Sequence, residues 1–235
     1  MDVSSRGNSN HEASPSTGTT VVACIFKGGV VLGADGRVSI GNYIMNRASN
    51  KIAPLSDSIF LCRSGSAPDT QIISDNGEHG GEATLPAAGQ INYNNKDHLV
   101  GAMVVAGWDR LGGGQVFGVP IGGTLAKEKW AIDGSGSTYI WGYCDSEYKD
   151  DMTRAEAEHW VMEAIALAMT RDSSSGGVIR LITLDDTGVH HKYVRGDEVP
   201  QFVGDLPFPT PAAGGASPAG AAPAEGAAAT GMVVG

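Results

Sequence analysis

Cysteine is scarce in this sequence, with Cys24, Cys62 and Cys144 the only three among 235 residues. They are scattered and odd in number, and no two of them form a CxxC pair. A disulfide framework or a zinc site would require paired or closely spaced cysteines. The sequence therefore predicts three buried free thiols in a reducing compartment and no metal site built on cysteine.

Long apolar runs are also missing. The longest apolar stretch, LVGAMVVAGW, is well short of the roughly 20 residues that a membrane-spanning helix needs. Residues 1–18 lack the apolar segment of a secretory signal. We expect no membrane segment and a soluble, intracellular chain.

The sequence has fewer basic than acidic residues: 16 Lys and Arg against 26 Asp and Glu, which gives a net charge of −10. Phosphate binding needs clustered cations, so this balance argues against nucleic acid as a partner. The length of 235 residues and an apolar share of 41% favour one sizeable domain with tails.

Both ends of the chain differ from the middle in composition. Residues 1–18 are polar and too poor in apolar side chains to order themselves, and residues 206–235 are an Ala/Gly/Pro low-complexity tail. We predict a leader at 1–18, a folded domain at 19–205 and a tail at 206–235.

The first part of the folded region is predicted to form a series of strands separated by short turns. Short Gly- and Ser-containing turns indicate that the first four strands form two hairpins. The predicted strands are TTVVACIF and VVLGAD around KGG, KIAPL and IFLCRSG around SDS, and then VGAMVVAGWD, QVFGVPIG and TLAKEKWAID.

Helix patterns follow in the second half of the chain. STYIWGYCDSEY predicts a short helix, and the Thr153–Glu156 capping box begins a longer helix that should end near Arg171. A hairpin around Asp186–Gly188 closes the domain. This order of elements predicts an α+β fold in which helices pack outside stacked antiparallel sheets.

The junction between leader and first strand is Gly18–Thr19. Cleavage there would give Thr19 a free α-amine, which titrates at about 7.7–8.0 and is partly neutral at physiological pH. A threonine hydroxyl beside its own amine is a recognised activated nucleophile. Most strand threonines have no such role, so the junction alone is weak evidence.

An ordered series of motifs strengthens this interpretation. The motifs are TTVVACIFKGGVVLGADGR, KIAPLSDSIFLCRSGSAPDT, AGWD, GGQVFGVPIGG, AIDGSGSTYIWGYCD and RDSSSGGVIRL. Through them the chain resembles the proteasome beta subunits over about residues 18 to 205, and among them it is most similar to the caspase-like, post-glutamyl-cleaving type. The resemblance implies a four-layer αββα N-terminal-nucleophile hydrolase fold.

The resemblance assigns a catalytic role to several positions. Thr19 is the expected nucleophile, Lys51 the lysine beside it and Asp35 the carboxylate that holds this lysine. The backbone N–H of Gly65 is expected to stabilise an oxyanion. The polar group expected to position the α-amine and a water consists of Ser135, Asp172 and Ser175.

Substrate binding is assigned in the same way. Arg63 is expected at the base of the pocket for the side chain before the cleaved bond, where a guanidinium would pair with Glu or Asp. Ser39 and Gly65 are further expected substrate-binding positions. An outward-facing strand arginine is the alternative for Arg63.

The resemblance also implies the biological setting. We expect a hetero-oligomeric four-ring barrel of proteasome alpha and beta subunits, unfolded polypeptide substrates, and a location in the cytoplasm and nucleus. The leader should be removed after Gly18 by the same nucleophile. No metal or organic cofactor is required by this acyl transfer.

One segment departs from the expected pattern. Residues 75–98 are rich in Gly, Asn and Pro where the family has long amphipathic helices, so part of one helical layer is expected to be missing. An uncovered sheet face would expose apolar side chains. Three alternatives to an active subunit stay open: a structural subunit without activity, an assembly-defective variant, and a different N-terminal-nucleophile amidohydrolase.

Overall fold

A computed structural model describes residues 18–65, 101–120 and 124–202 of the chain. The strands in these residues are, in chain order, β1 (Val21–Phe26), β2 (Gly29–Asp35), β3 (Val38–Ile40), β4 (Tyr43–Asn46), β5 (Ile52–Ser56), β6 (Ile59–Gly65), β7 (Gly101–Asp109), β8 (Gly113–Val119), β9 (Ala126–Glu128), β10 (Trp130–Asp133), β11 (Ile179–Asp185) and β12 (Gly188–Val194). The helices are a 3₁₀ helix (Ser135–Tyr139), α1 (Trp141–Glu147) and α2 (Arg154–Arg171).

Ten of these strands form two antiparallel five-stranded sheets. The first sheet has the order β10-β1-β2-β11-β12, and the second has the order β5-β6-β7-β8-β9. Strands β3 and β4 form a separate two-stranded sheet. The predicted stacked antiparallel sheets are confirmed, and they agree with an N-terminal-nucleophile hydrolase type of α+β fold.

The turn between β1 and β2 sets the register of the first sheet. Gly28 has a φ of 100°, a conformation that favours glycine, so the strands reverse within two residues. Phe26 then pairs with Gly29 and Val21 pairs with Ala34. This register carries the residues just before β1 to the end of β2.

An apolar core fills the space between the two sheets. Alternating residues of β1 and β2 face those of β6, β7 and β8 across it, as a period of two requires. The buried members include Val21, Ala23, Val30, Leu32, Cys62, Val104, Ala106 and Val116.

A second core joins the first sheet to helix α2. The predicted capping box is present: Thr153 Oγ1 accepts from Glu156 N at 3.3 Å, and Thr153 N donates to Glu156 Oε2 at 2.7 Å. The helix ends at Arg171, as predicted. Its buried face includes the predicted Ala157, Trp160, Val161, Ala164, Ile165 and Ala168.

All three cysteines are free and buried, as predicted. Cys62 lies in the core between the sheets, while Cys24 and Cys144 lie in the core beneath α2. Burial raises the pKa of all three thiols well above the usual range, to about 12 for Cys144.

TLAKEKWAID was predicted as one strand, and this is wrong. β9 pairs with β8 in the second sheet, whereas β10 pairs with β1 in the first. The chain crosses between the sheets at Lys129, whose carbonyl accepts the N–H of Ile25 at 2.9 Å. No glycine or proline marks the crossing, so the sequence pattern did not reveal it.

The β3–β4 hairpin was not among the elements predicted from the sequence. Gly41–Asn42 separates the two strands by two residues, and this kind of dipeptide between strands is a hairpin signal that could have found it. The hairpin connects β2 of the first sheet to β5 of the second along the chain.

The outer face of the second sheet carries a third apolar cluster. Leu61, Met103 and Val105 are at most 1% exposed, so the exposed patch expected for an uncovered sheet face is not found there. The segment 75–98 and the helix that it was expected to shorten lie outside the described residues, as do residues 1–17 of the leader and the predicted tail. No helix in the described part of the chain is long and apolar enough to cross a membrane.

Candidate active site

The β1–β2 register brings Thr19 and Thr20 to the end of β2. Thr20 N donates to Asp35 Oδ1 at 2.9 Å, and Asp35 N donates to Thr20 O at 3.2 Å. Thr19 is 4% exposed and Asp35 is fully buried. The tight Gly28 turn is therefore the local cause of the contact between Thr20 and Asp35, and Lys51 joins Asp35 to Thr19 Oγ1.

Asp35 is fully buried and accepts four hydrogen bonds. Lys51 Nζ at 2.8 Å and Thr20 N share Oδ1, while Arg37 N at 3.1 Å and Gly176 N at 3.0 Å share Oδ2. A buried carboxylate needs this degree of pairing to offset its lost hydration.

Lys51 enters from the second sheet, one residue before β5, and lies at the centre of the site. Its Nζ donates to Thr19 Oγ1 and to the carbonyl oxygen of Gly18, both at 3.1 Å. Burial lowers the pKa of Lys51, against the opposing effect of Asp35. The neutral amine is then accessible at lower pH than for an exposed lysine, and it can accept a proton from the Thr19 hydroxyl.

The structure brings Ser135, Asp172 and Ser175 together beside the Thr19 nitrogen, and their role in positioning the α-amine stays a prediction. Ser135 Oγ and Ser175 Oγ each donate to Asp172 Oδ2 at 2.6 Å. The backbone N–H of Thr19 donates to Ser135 Oγ at 3.1 Å. The nitrogen that cleavage would turn into an amine is thus already held by this serine–aspartate group.

Arg63 lies in the strand directly beside Lys51, since Arg63 N donates to Lys51 O at 3.1 Å. Alternate N–H groups of a strand point to the same side. The N–H of Gly65, two residues on, therefore points towards β5 and past its first residue, Ile52. This is the end of the sheet where Lys51 reaches Thr19, and the oxyanion role of Gly65 stays a prediction.

Ser39 is buried within β3, opposite Ile44. No hydrogen bond among the described residues joins its side chain to Thr19 or Lys51. The structure therefore shows no hydrogen bond that joins Ser39 to the expected nucleophile, and the substrate-binding role of Ser39 stays a prediction.

Several residues at the site were missed by sequence reasoning. Thr20 Oγ1 lies 2.7 Å from Ser175 Oγ, and Gly136 N donates to Thr19 O at 3.2 Å. Arg37 joins Asp35 to the loop after α2, because its guanidinium donates to Ser173 O at 2.8 Å. Arg37 and Gly176 lie in the DGR and SGG motifs. Each also donates its backbone N–H to Asp35 Oδ2, and a backbone donor cannot be recognised from the type of side chain.

Gly18 fits the site only because it has no side chain. A Cβ at this position would lie 1.8 Å from the Cβ of Ser174 and 2.9 Å from Ser135 Oγ. The Gly18 carbonyl oxygen and Thr19 Oγ1 accept hydrogen bonds from the same Lys51 Nζ.

The arrangement provides a hydroxyl, a buried amine that contacts it and a carbonyl held by the same amine. Such a group can perform acyl transfer through an oxygen nucleophile. Within the described residues, no cluster of His, Cys, Asp and Glu is suited to hold a metal ion.

Comparison with known proteins gives a consistent result. A family model described as "Proteasome subunit" matches residues 15–79 and 82–184. The match runs through most of residues 75–98, so the likeness extends further than the sequence motifs indicated.

Individual relatives are also similar over most of their length. The "Proteasome subunit beta type-6" of Arabidopsis thaliana is 43% identical over 203 residues, which span 81% of this chain and 87% of that protein. A protein of the same description from Dictyostelium discoideum is 46% identical over 198 residues, or 79% and 92% of the two chains. The "Proteasome subunit beta type-9" of Homo sapiens is 44% identical over 199 residues, or 79% and 90%.

Proposed function

Because this chain belongs to the proteasome subunit family and matches beta subunits over most of its length, we propose that it is a catalytic beta subunit, a threonine endopeptidase with Thr19 as its nucleophile. Beta subunits of this family assemble with other alpha and beta subunits in the 20S core barrel. The observation that carries the proposal is the position of Lys51 Nζ, which contacts Thr19 Oγ1, Gly18 O and Asp35 together.

Maturation is the first reaction in this proposal. Thr19 Oγ attacks the carbonyl carbon of Gly18, and its proton passes through Lys51 to the departing Thr19 nitrogen, which leaves an ester between Gly18 and Thr19 Oγ. Water then hydrolyses the ester, so that Gly18 becomes a carboxylate and Thr19 regains its hydroxyl with a free α-amine. In the uncut chain the α-amine does not exist, and Lys51 is the basic group at Oγ among the described residues.

Peptide hydrolysis repeats this chemistry on a substrate. Thr19 Oγ gives its proton to its own α-amine and attacks the substrate carbonyl carbon, and the N–H of Gly65 stabilises the oxyanion. The substrate C–N bond then breaks, the α-amine passes the proton to the departing nitrogen, and an ester on Thr19 Oγ remains. The group of Ser135, Asp172 and Ser175 orients the new α-amine. Hydrolysis of the resulting ester releases the second product.

Gly18→Ala is expected to slow cleavage after residue 18 at least about ten-fold, because the added methyl group would overlap Ser174 and displace the scissile carbonyl. Adding Ser174→Gly should restore part of the rate by removing the overlapping side chain. The measurement is the fraction of full-length chain that starts at Thr19 over time, by mass spectrometry.

Gly142→Ala is the matched control, since a Cβ there meets no atom within 4 Å, and it should be processed at the wild-type rate. Wild-type processing of Gly18→Ala would show that the close contact with Ser174 does not control the attack geometry.

Specificity for acidic residues is the finer part of the proposal. It is supported by the backbone hydrogen bond from Arg63 N to Lys51 O at 3.1 Å, which makes the two residues neighbours at the end of the β5–β6 pair. A buried guanidinium forms strong hydrogen bonds with the carboxylate of an acidic substrate side chain. An uncharged side chain would leave the guanidinium buried without a partner, which is costly, so acidic substrates are favoured.

Arg63→Leu in assembled particles is expected to lower the kcat/KM ratio of Glu- over Leu-containing fluorogenic peptides at least about ten-fold. Arg110→Leu, a change at an exposed arginine in the β7–β8 turn, should leave this ratio unchanged. An unaltered ratio in Arg63→Leu, with processing at Gly18 intact, would remove Arg63 from the specificity pocket without removing Thr19 from catalysis.

A further inference from the structure

A cavity of about 350 Å³ lies between an edge of the first sheet and an edge of the second. β12 and β5 are these edge strands, and residues of β6 and β11 complete the lining. A volume of this size is within the usual range for sites that hold small molecules. Neither Thr19 nor Lys51 is among the described residues that line it, so the cavity is separate from the candidate active site.

The inner walls of this cavity are apolar. Ile52, Phe60 and Ile182 are at most 7% exposed, and all three belong to the core between the sheets. The ring of His191 meets the ring of Phe60 in a T-shaped arrangement, with 6.2 Å between the ring centroids. Such walls favour a ligand with an aromatic or branched aliphatic body, because burial of apolar surface is favourable.

Arg180 supplies a positive charge to the cavity. It lies directly opposite Tyr193 in the β11–β12 pair, and its guanidinium carbon is 4.9 Å from the centre of the Tyr193 ring. Its Nη2 donates to Ala48 O at 3.1 Å, whereas its Nε is buried and has no hydrogen-bond partner among the described residues. The guanidinium is therefore held in place, while part of its hydrogen-bonding capacity stays unused.

No acidic side chain in the described part of the chain neutralises this guanidinium. The salt bridges of these residues do not include Arg180, and no Asp or Glu is among those that line the cavity. The lysine at the cavity, Lys192, is already paired, since its Nζ lies 3.4 Å from Glu158 Oε2. One positive charge is thus available in a chain whose net charge is −10.

The charge and the walls together define the class of ligand. The planar donors of a guanidinium suit the two oxygens of a carboxylate, and one cation matches one negative charge. A phosphate or sulfate dianion would bring a second charge without a partner, and its oxygens would lie against apolar walls that cannot hydrogen-bond them. A monocarboxylate with an apolar body satisfies both features of the cavity.

We propose that this cavity binds a small monocarboxylate with an aromatic or branched aliphatic body. The carboxylate pairs with the Arg180 guanidinium, and the body lies against Ile52 and Phe60. Apolar walls strengthen the charge-assisted hydrogen bonds, because they lower the local dielectric constant. The site goes beyond the proposed peptidase, since it requires neither Thr19 nor cleavage after Gly18.

Photolabelling of assembled particles that contain the full-length chain tests the site. The probe is benzoate with a trifluoromethyl-diazirine group in the para position, and its control is the corresponding benzamide, which has a similar shape and no charge. The acid should label residues 50–60 or 180–193 of this chain at least about ten-fold more than the amide does, because only the acid forms the charged pair. The labelled peptides are identified and quantified by mass spectrometry.

Competition identifies the chemistry that the cavity recognises. An excess of benzoate should prevent labelling of these residues, whereas the same concentration of inorganic phosphate should not. Equal labelling by the acid and the amide, labelling confined to other residues, or protection by phosphate but not by benzoate would each overturn the proposal.

Arg180→Met removes the charge and keeps a long apolar side chain, so labelling by the acid should fall at least about ten-fold. Arg195→Met is the matched control, because Arg195 is exposed, lies just after β12 and pairs with Asp197 at 2.8 Å; it should be labelled as the wild type is. Wild-type labelling of Arg180→Met would contradict the proposal. If thermal unfolding shows that this variant has lost its fold, the comparison of acid and amide on the wild type decides.

The site and the proposed peptidase can fail separately. Thr19→Ala particles should be labelled by the acid as the wild type is. Acid-selective labelling of wild-type particles that show no threonine-dependent peptidase activity would refute the proposed function and leave the site standing. Active particles without acid-selective labelling at residues 50–60 or 180–193 would refute the site alone.

Discussion

Thr19→Ala is expected to abolish cleavage after Gly18 and to reduce peptide hydrolysis by this subunit at least about 10³-fold, because removal of a nucleophile leaves only the residual catalysis of binding and oxyanion contacts. The alanine variant loses one hydrogen bond to Lys51. The bonds from Lys51 to Asp35 and to Gly18 O remain, so we expect the fold to persist.

Thr19→Ser is the matched variant, since it keeps the hydroxyl and removes one methyl group. It should be processed, and mass spectrometry should find that the mature chain begins with the substituted serine. Cleavage after Gly18 in the alanine variant, in particles that contain no wild-type copy, would show that another nucleophile matures the chain and would contradict the proposed intramolecular attack.

Lys51→Arg is expected to reduce the rate of maturation by about 10²–10⁴-fold, the usual contribution of a general base. An arginine keeps a positive charge beside Asp35 but does not deprotonate in proteins. Removing the charge altogether would leave Asp35 buried without its cation, which costs about 3–5 kcal/mol of stability. The arginine variant therefore separates proton transfer from charge pairing.

The pH dependence of maturation gives a second measurement on Lys51. Burial lowers the pKa of this lysine, and the neutral amine is the form that accepts a proton. The wild-type rate should therefore rise with pH through this lowered pKa and become constant above it. A rate that continues to rise to the ordinary lysine pKa of about 10.4 would contradict the effect of burial, and a Lys51→Arg chain that matures normally would exclude lysine as the base.

Part of the candidate site could be read from the sequence because it depends on local geometry. The KGG turn after β1 fixes a register in which Thr20 faces Asp35. The pairing of these two residues can be inferred from their equal distances along the chain from that turn. Thr153 and Glu156 form a capping box for the same reason, since both partners lie within one turn of helix.

Other parts depend on how the sheets stack, and the sequence pattern does not encode that directly. Lys51 belongs to the second sheet and reaches Thr19 only when the sheets lie face to face. The crossing at Lys129 splits a continuous alternating pattern between two sheets. In both cases the alternation of apolar and polar residues predicts a strand but does not show which of the two sheets the strand belongs to.

The resemblance to a family supplied roles that local reasoning could not. Ser135 and Asp172 lie 37 residues apart in the chain, yet they share a hydrogen bond of 2.6 Å. The backbone donors that hold Asp35, including Gly176 N, were missed. A buried carboxylate's need for several donors predicts that such groups exist but does not identify them.

Alkylation of the three buried cysteines can be used to measure local opening of this fold. Thiolate is the form that reacts with an alkylating reagent, and the raised pKa values and burial of these thiols suppress that reaction in the native state. Alkylation of Cys62 requires the two sheets to separate, whereas alkylation of Cys24 or Cys144 requires the layer beneath α2 to open. The rate of labelling at each cysteine, measured by mass spectrometry, would show which interface opens more often. The two interfaces are the one between the sheets and the one between the first sheet and α2.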